Sequence, residues 1–265
     1  MNRIKTRGIT SQIKMQTSMK KIVILILLLA CTKVKAQTQF ITSGKIEFER
    51  KVNIHKQLDA EEDDTWKNML KKTTPPIKTS YFDLYFDAQK TIYKPGREIV
   101  VAQKVPDWLE GPAIDNIVFT DLDTKMSYSQ KGVFESVFNI TDTVRKINWK
   151  ITPDTRTIAN FECRKATAII MDSIFVVAFY TDQIITNGGP ESFTGLPGMI
   201  LGLAIPRLNA TWFATKLELV EVKPSDLLPP KKGKKINNAN LRTQLQSSMK
   251  NWGKTGSKNI WQIMI

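Results

Sequence analysis

The stretch Gly188-Gly189-Pro190-Glu191-Ser192-Phe193-Thr194-Gly195-Leu196-Pro197-Gly198-Met199-Ile200-Leu201-Gly202-Leu203 decides how the chain is read. Its glycines at 188, 189, 195, 198 and 202 permit positive φ or the close approach of a neighbouring segment. Leu196-Pro197-Gly198 fits a type II turn, with Pro197 presetting φ at the second position and Gly198 taking positive φ at the third. The apolar run Met199-Ile200-Leu201 then enters a strand. A Pro-Gly turn feeding a buried strand points to a β-sheet fold, and a second Pro-Gly pair stands upstream at Pro95-Gly96.

Period-two alternation runs through most of the chain. Ile46, Phe48, Val52 and Ile54 line one face of the first run, interrupted by Arg50, and Phe82, Leu84 and Phe86 do so in the next. Further strands are expected over 116–120, 125–129, 133–140, 146–152, 157–170, 173–181, 199–205 and 211–222. Lys94-Pro95-Gly96, Thr152-Pro153-Asp154 and Met171-Asp172 read as turns or breaks between them. Residues 173–181 and 211–222 are apolar on both faces, so a helix, a second sheet or a ligand must cover the second face.

Helices are expected over 55–72, where Trp66, Met69 and Leu70 share a face, and after Asn238, where Leu241, Leu245, Met249 and Trp252 recur at near-helical spacing. The apolar end, residues 260–265, reads as a strand docking back. The fold class is mainly β: an antiparallel meander forming an open half-barrel or bowl-like sheet with one or two covering helices.

The chain opens with a basic stretch, Lys20-Lys21, and the apolar segment Ile22–Ala30, too short to span a bilayer. Residues 1–36 read as a signal peptide cleaved after Val34-Lys35-Ala36, with residues 1–18 a candidate over-called start. Leu28-Leu29-Ala30-Cys31 offers a rival lipoprotein site. Domain organisation follows: a single β-rich domain over 37–230, then a basic tail over 231–265 with a helix, joined by the Pro229–Lys235 linker.

The net charge of +14 is unevenly spread. Residues 1–36 and 231–265 hold eight bases each and no acid, which leaves 23 bases against 25 acids in between. A nearly neutral body argues against nucleic acid as a partner, and the tail is suited to an anionic membrane surface. His55 is the one histidine, and Cys163 is left alone once Cys31 departs with the signal. These counts exclude a His-rich metal centre, a multi-cysteine zinc site and an internal disulfide in the exported chain. Cys163, within the alternating run 158–163, reads as a small buried apolar residue, and His55 as a surface one. The acidic residues Asp59, Glu61, Glu62, Asp63 and Asp64 lack the spacing of a calcium loop and read as a solvated face. No cofactor, metal or catalytic residue is expected.

The motif Gly195-Leu196-Pro197-Gly198-Met199-Ile200 resembles that of the GLPGLI family, secreted proteins of Bacteroidota, with Met199 in place of the second leucine. The resemblance extends through Ile147–Thr152, Thr157-Ile158, Cys163–Ala166, Ala178–Thr181 and Gly189–Phe193, and covers most of 44–222. Phe179 stands where the family has tryptophan, and Ile185 where proline is usual after isoleucine. The resemblance implies envelope work beside TonB-dependent outer-membrane receptors, and carries no activity over. By analogy the expected architecture is similar to periplasmic lipoprotein carriers.

Three functional readings follow. The first is a non-enzymatic periplasmic or cell-envelope module that binds a hydrophobic, peptide or glycan ligand or docks to an outer-membrane TonB-dependent receptor. Its binding loop is expected to use Gly189, Pro190, Phe193, Gly195, Leu196, Pro197 and Gly198. The second is a hydrolase using Asp121 and Asp123, which alternate onto one face at a strand end. The third makes 188–203 a protein-interaction loop with Phe193, Leu196 and Met199 as anchors.

Overall fold

The computed structural model of the chain describes residues 40–59, 63–100, 103–171 and 173–265. Twelve strands form one open sheet in the order β12-β6-β5-β4-β3-β2-β1-β11-β10-β9-β8-β7. The first arm is a meander of β1 (Gly44–Asn53), β2 (Ile77–Phe86), β3 (Lys90–Pro95), β4 (Ile117–Asp121), β5 (Met126–Val133) and β6 (Ser136–Thr143). The second is a meander of β7 (Lys150–Ile158), β8 (Phe161–Ile170), β9 (Ile174–Thr181), β10 (Met199–Ile205) and β11 (Ala210–Glu218). The arms join where β1 pairs antiparallel with β11, Arg50 opposite Trp212. β12 (Lys234–Ile236) adds parallel to β6 at one edge.

Connectivity dictates the curvature. β6 and β7 are ten strand positions apart, which in a flat sheet is about 48 Å at ~4.8 Å per strand. Only residues 144–149 join them, and seven Cα steps reach at most about 25 Å. The sheet therefore curls until its two ends approach, without closing into a barrel: a bowl. Its concave face gathers the inward residues of both arms, among them Ile46, Phe48, Phe82, Leu84, Val176, Ala178 and Leu203, in one buried cluster.

The short helices lie on the rim and over the bowl. α1 (Ile54–Leu58) and α2 (Asp64–Thr73) replace the single helix expected over 55–72. Each has its own cap: Asn53 accepts from Lys56 N, and Asp63 accepts from Thr65 N and Trp66 N. Asp59 pairs with Lys71, so these acids serve the helix ends. α3 (Asp107–Glu110) is a single turn. Residues 231–265 pack into the same compact unit as the sheet, residues 40–265. They hold α4 (Asn238–Ser248) and α5 (Gly253–Met264). Leu241, Leu245 and Met249 cluster with Val133, Phe138, Ile140 and Ile263 on the concave side of the first arm, the face that register shares with Ile46, Leu84 and Tyr93.

Several turn and strand expectations are corrected. Residues 260–264 are helical, with Ile265 capping the end, because Asn259, Gln262 and Ile263, at three- and one-residue steps, all turn inward. Pro95 ends β3 in pairing with Phe82, and Gly96 N donates to Tyr81 O at 2.9 Å, so Pro95-Gly96 is no turn. Pro153 lies inside β7, at a register irregularity between Ile151 and Thr155, which an edge strand tolerates. The runs 133–140 and 157–170 each contain a tight hairpin, with positive φ at Phe134 and at Ala159 and Asn160.

The second apolar face of β9–β11 is covered in part, around Phe179, Gly202 and Phe213, by the end of the β7–β8 hairpin, while Phe175 stays exposed. A Cβ at Gly202 would meet Ile158 and the Phe213 ring at 2.8 Å, and Arg156 lies 4.6 Å from the Phe213 centroid. The signal-peptide expectation, its cleavage after Ala36 and the Cys31 alternative lie outside the described residues.

Candidate functional site

After β9 the chain crosses the concave face instead of standing off it. Thr186 Oγ1 donates to Asp87 O at 2.6 Å, and Ile200 N donates to Gly188 O at 2.8 Å. Phe193 tilts against Trp149, whose Nε1 donates to Thr194 O at 2.9 Å. Gly198 N donates to Leu196 O at 2.8 Å and to Asn187 Oδ1 at 3.0 Å. The turn is thus closed over three residues around Pro197, an inverse γ-type closure rather than the type II turn expected. Gly198 does take positive φ, +134°, and a Cβ there would lie 2.1 Å from Thr181 O. Only glycine fits.

Of the seven expected binding residues, Gly189, Pro190, Phe193, Leu196 and Gly198 are buried, and Gly195 and Pro197 are exposed. The three expected anchors, Phe193, Leu196 and Met199, are 1, 1 and 0 % exposed within the chain's own core. The loop and the end of α5, including the buried Ile265, fill the bowl.

Beneath the loop lies a polar cluster on the concave face. Arg50, Tyr93, Asn116, Glu191 and Trp212 are all buried. Asn116 Nδ2 donates to Glu191 Oε2 at 2.8 Å, and the guanidinium of Arg50 lies 5.5 Å from the Trp212 ring centre. Burial, and next the charge of Glu191, push the Tyr93 hydroxyl well above its ordinary range. The break in alternation at Arg50 was the sequence signal for this cluster; nothing in sequence tied it to Glu191.

The remaining polar sites lie where the two ends of the sheet approach. Behind α5, a chamber of about 30 Å³ is lined by Thr120, Ser127, Ser129, Lys131, Arg145 and Ser192, among others. Three consecutive carbonyls at the end of α5 take side-chain donors there: Ile263 O from Lys131 Nζ at 2.8 Å, Met264 O from Arg145 Nη2, and Ile265 O from Ser192 Oγ. Cations at a helix C-terminus oppose its dipole.

In front of the chamber opens a cleft of about 600 Å³. Asp142 and Thr143 at the end of β6 and the connector residues Arg145 to Asn148 form one wall, Ile169, Ile170 and Met171 another, and Asn238, Ala239 and Arg242 at the start of α4 a third. Arg145 and Met264 line both cavities. Burial, and next the like charge of Arg242, lower the Arg145 guanidinium from its ordinary value. Sequence reasoning missed Arg145, Lys146 and Arg242, since the connector and helix that assemble them are far apart in the chain.

The other sequence candidates have local structural roles. Asp121 Oδ1 accepts from Asp123 N at 3.1 Å and Thr124 N at 2.9 Å in the β4–β5 hairpin, and the Thr124 amide holds its carboxyl below the usual range. This is backbone capping of a turn. His55 Nε2 bonds Thr74 O at 3.0 Å, tying α1 to the end of α2. Cys163 is fully buried, and burial pushes its thiol up to about 11. Among the described residues no group of His, Cys, Asp and Glu is placed to hold a metal ion, and no helix is long and apolar enough to cross a membrane.

Residues 169–202 match a family described as "Protein of unknown function (Porph_ging)", a Bacteroidota-type domain. The Porph_ging match spans the end of β8, β9, the loop that fills the bowl, and the entry to β10. No curated protein matches the chain. Among solved structures it is similar to PNGF-II in the P21 space group, with TM-score 0.49 and 13% identity over 77% of this chain and 33% of that one. PNGF-II in the C2 space group gives TM-score 0.47 and 12% identity over 83% and 33%. The chain spans about a third of the length of those structures.

Proposed function

We propose that this chain is a non-catalytic module of the cell envelope that binds a peptide or glycan ligand in the cleft between residues 142–148, the β8–β9 turn and the start of α4. The observation that carries this reading is the division of the concave surfaces. The bowl is filled by the chain's own loop, with Phe193 and Leu196 buried, whereas the 600 Å³ cleft is open and of ligand size. Its walls pair apolar Ile169 and Met171 with polar Asn148 and Asn238. Such mixed walls suit a segment with both apolar and polar groups. Envelope location rests on the signal-like residues 1–36, and docking on an outer-membrane receptor would place the bound ligand beside a transport partner.

A photo-crosslinking residue in place of Ile169 in the cleft, compared with one in place of exposed Ile77 on β2, tests the reading in the native envelope. A peptide or glycan adduct specific to position 169 supports it. Equal or absent adducts at the two positions contradict it.

A further inference from the structure

The cleft's charge says more than its size. Among the described residues, none of Arg145, Lys146 and Arg242 has a carboxylate oxygen within 4.0 Å. Among the described lining residues the acid is Asp142, whose charge partly offsets that of Arg145 from beyond ion-pair distance and whose oxygens hold backbone: Oδ2 accepts from Asn238 N at 3.0 Å and Oδ1 from Thr143 N at 2.8 Å. Arg145 uses Nη2 on Met264 O, while its Nη1 is buried with no partner in the protein. A guanidinium held in place by one nitrogen and left with a second, desolvated donor beside a like charge is arranged for a shared counter-ion.

We propose that the cleft recognises the anionic end of its ligand, a carboxylate held between Arg145 and Arg242 with Lys146 at the rim, while the adjoining apolar part lies on Ile169 and Met171. This rests on the cleft reading above and narrows it to acid-bearing ligands. The carboxylate can come from a peptide terminus or from an acidic sugar, because both present the same pair of oxygens to the guanidinium groups.

The test uses the exported chain, ¹⁵N-labelled, titrated with four probes: acetyl-Leu-Ala as free acid, its C-terminal amide, glucuronate and glucose. At least one acid is expected to move the amide signals of Arg145, Ala239 and Arg242 and to bind about tenfold tighter than its neutral partner, the size of one charge-assisted hydrogen bond. Response to the peptide acid alone assigns a peptide terminus, and response to glucuronate alone assigns an acidic glycan. The exposed pair Lys146→Gln and Arg242→Gln should remove the preference for acid while leaving the fold's spectrum intact. Equal binding of acid and neutral partners overturns the anion inference and leaves the cleft reading standing. No shift at the cleft with any of the four overturns both.

Discussion

Lys131 lies beneath the last turn of α5, 4 % exposed, with Ile263 O as its hydrogen-bond acceptor. Burial lowers its ammonium to about 8; Glu191 opposes that shift and Arg145 adds to it. A lysine depressed in the folded state binds its proton more weakly there than in the unfolded chain. The cost to stability is therefore full below about pH 8 and disappears as pH rises toward the unfolded value near 10.5. Lys131→Met removes this dependence. Between pH 7.5 and 10 the stability of the parent should rise relative to the variant by on the order of 3 kcal/mol, read from urea midpoints.

Leu196 poses the opposite test, since it is apolar and 1 % exposed in the main core. Leu196→Asp buries a carboxylate among apolar neighbours and should cost on the order of 4 kcal/mol, lowering Tm by about 8–16 °C. An unchanged Tm would mean that Leu196 faces a partner instead. Cys163 shows how far single residues were legible. Its place in an alternating run marked it as buried, and it is. Lys131 was as buried on a similar alternation, through Ser127, Ser129 and Val133, but those neighbours are too polar to mark an inward face.

At the scale of elements, legibility followed how much of an element's environment is local. β2 has an apolar face written along the strand at period two, and β9 and β10 are continuous apolar runs, so all three can be placed from local sequence. β7 did not, because most of its residues are exposed and Pro153 reads as a break until its edge position is known. The end of α5 reads as a strand because residues 260–265 form an apolar run too short to separate the two periods. The motif loop was recognised as backbone chemistry, and Gly198 confirms it through the 2.1 Å approach of Thr181 O that a Cβ would make. That the loop turns inward depends on Thr91, Trp149 and Asn116, drawn from three distant parts of the chain, and no local pattern encodes it.

For the whole molecule, the bowl and the cleft share one origin. A six-residue connector between strands ten positions apart forces the sheet to curl, and the gap it leaves between the two ends is where the cleft lies. The curl also creates a concave core too deep for side chains from the sheet alone to fill. The loop over 184–198 and the end of α5 supply the missing layer, with Ile184, Phe193 and Ile265 buried. On the proposed reading, function is thereby displaced from the bowl, which the chain fills itself, to the seam.

Hydrogen exchange at the amides of Gly198 and Ile200 tests this division most directly, because their donors close the loop onto Leu196, Asn187 and Gly188. If the loop is a layer of the core, both amides exchange only with global unfolding, as slowly as those of β1 and β11. Exchange within seconds, as in a surface loop, would show that the bowl opens and would return the binding site to the loop itself.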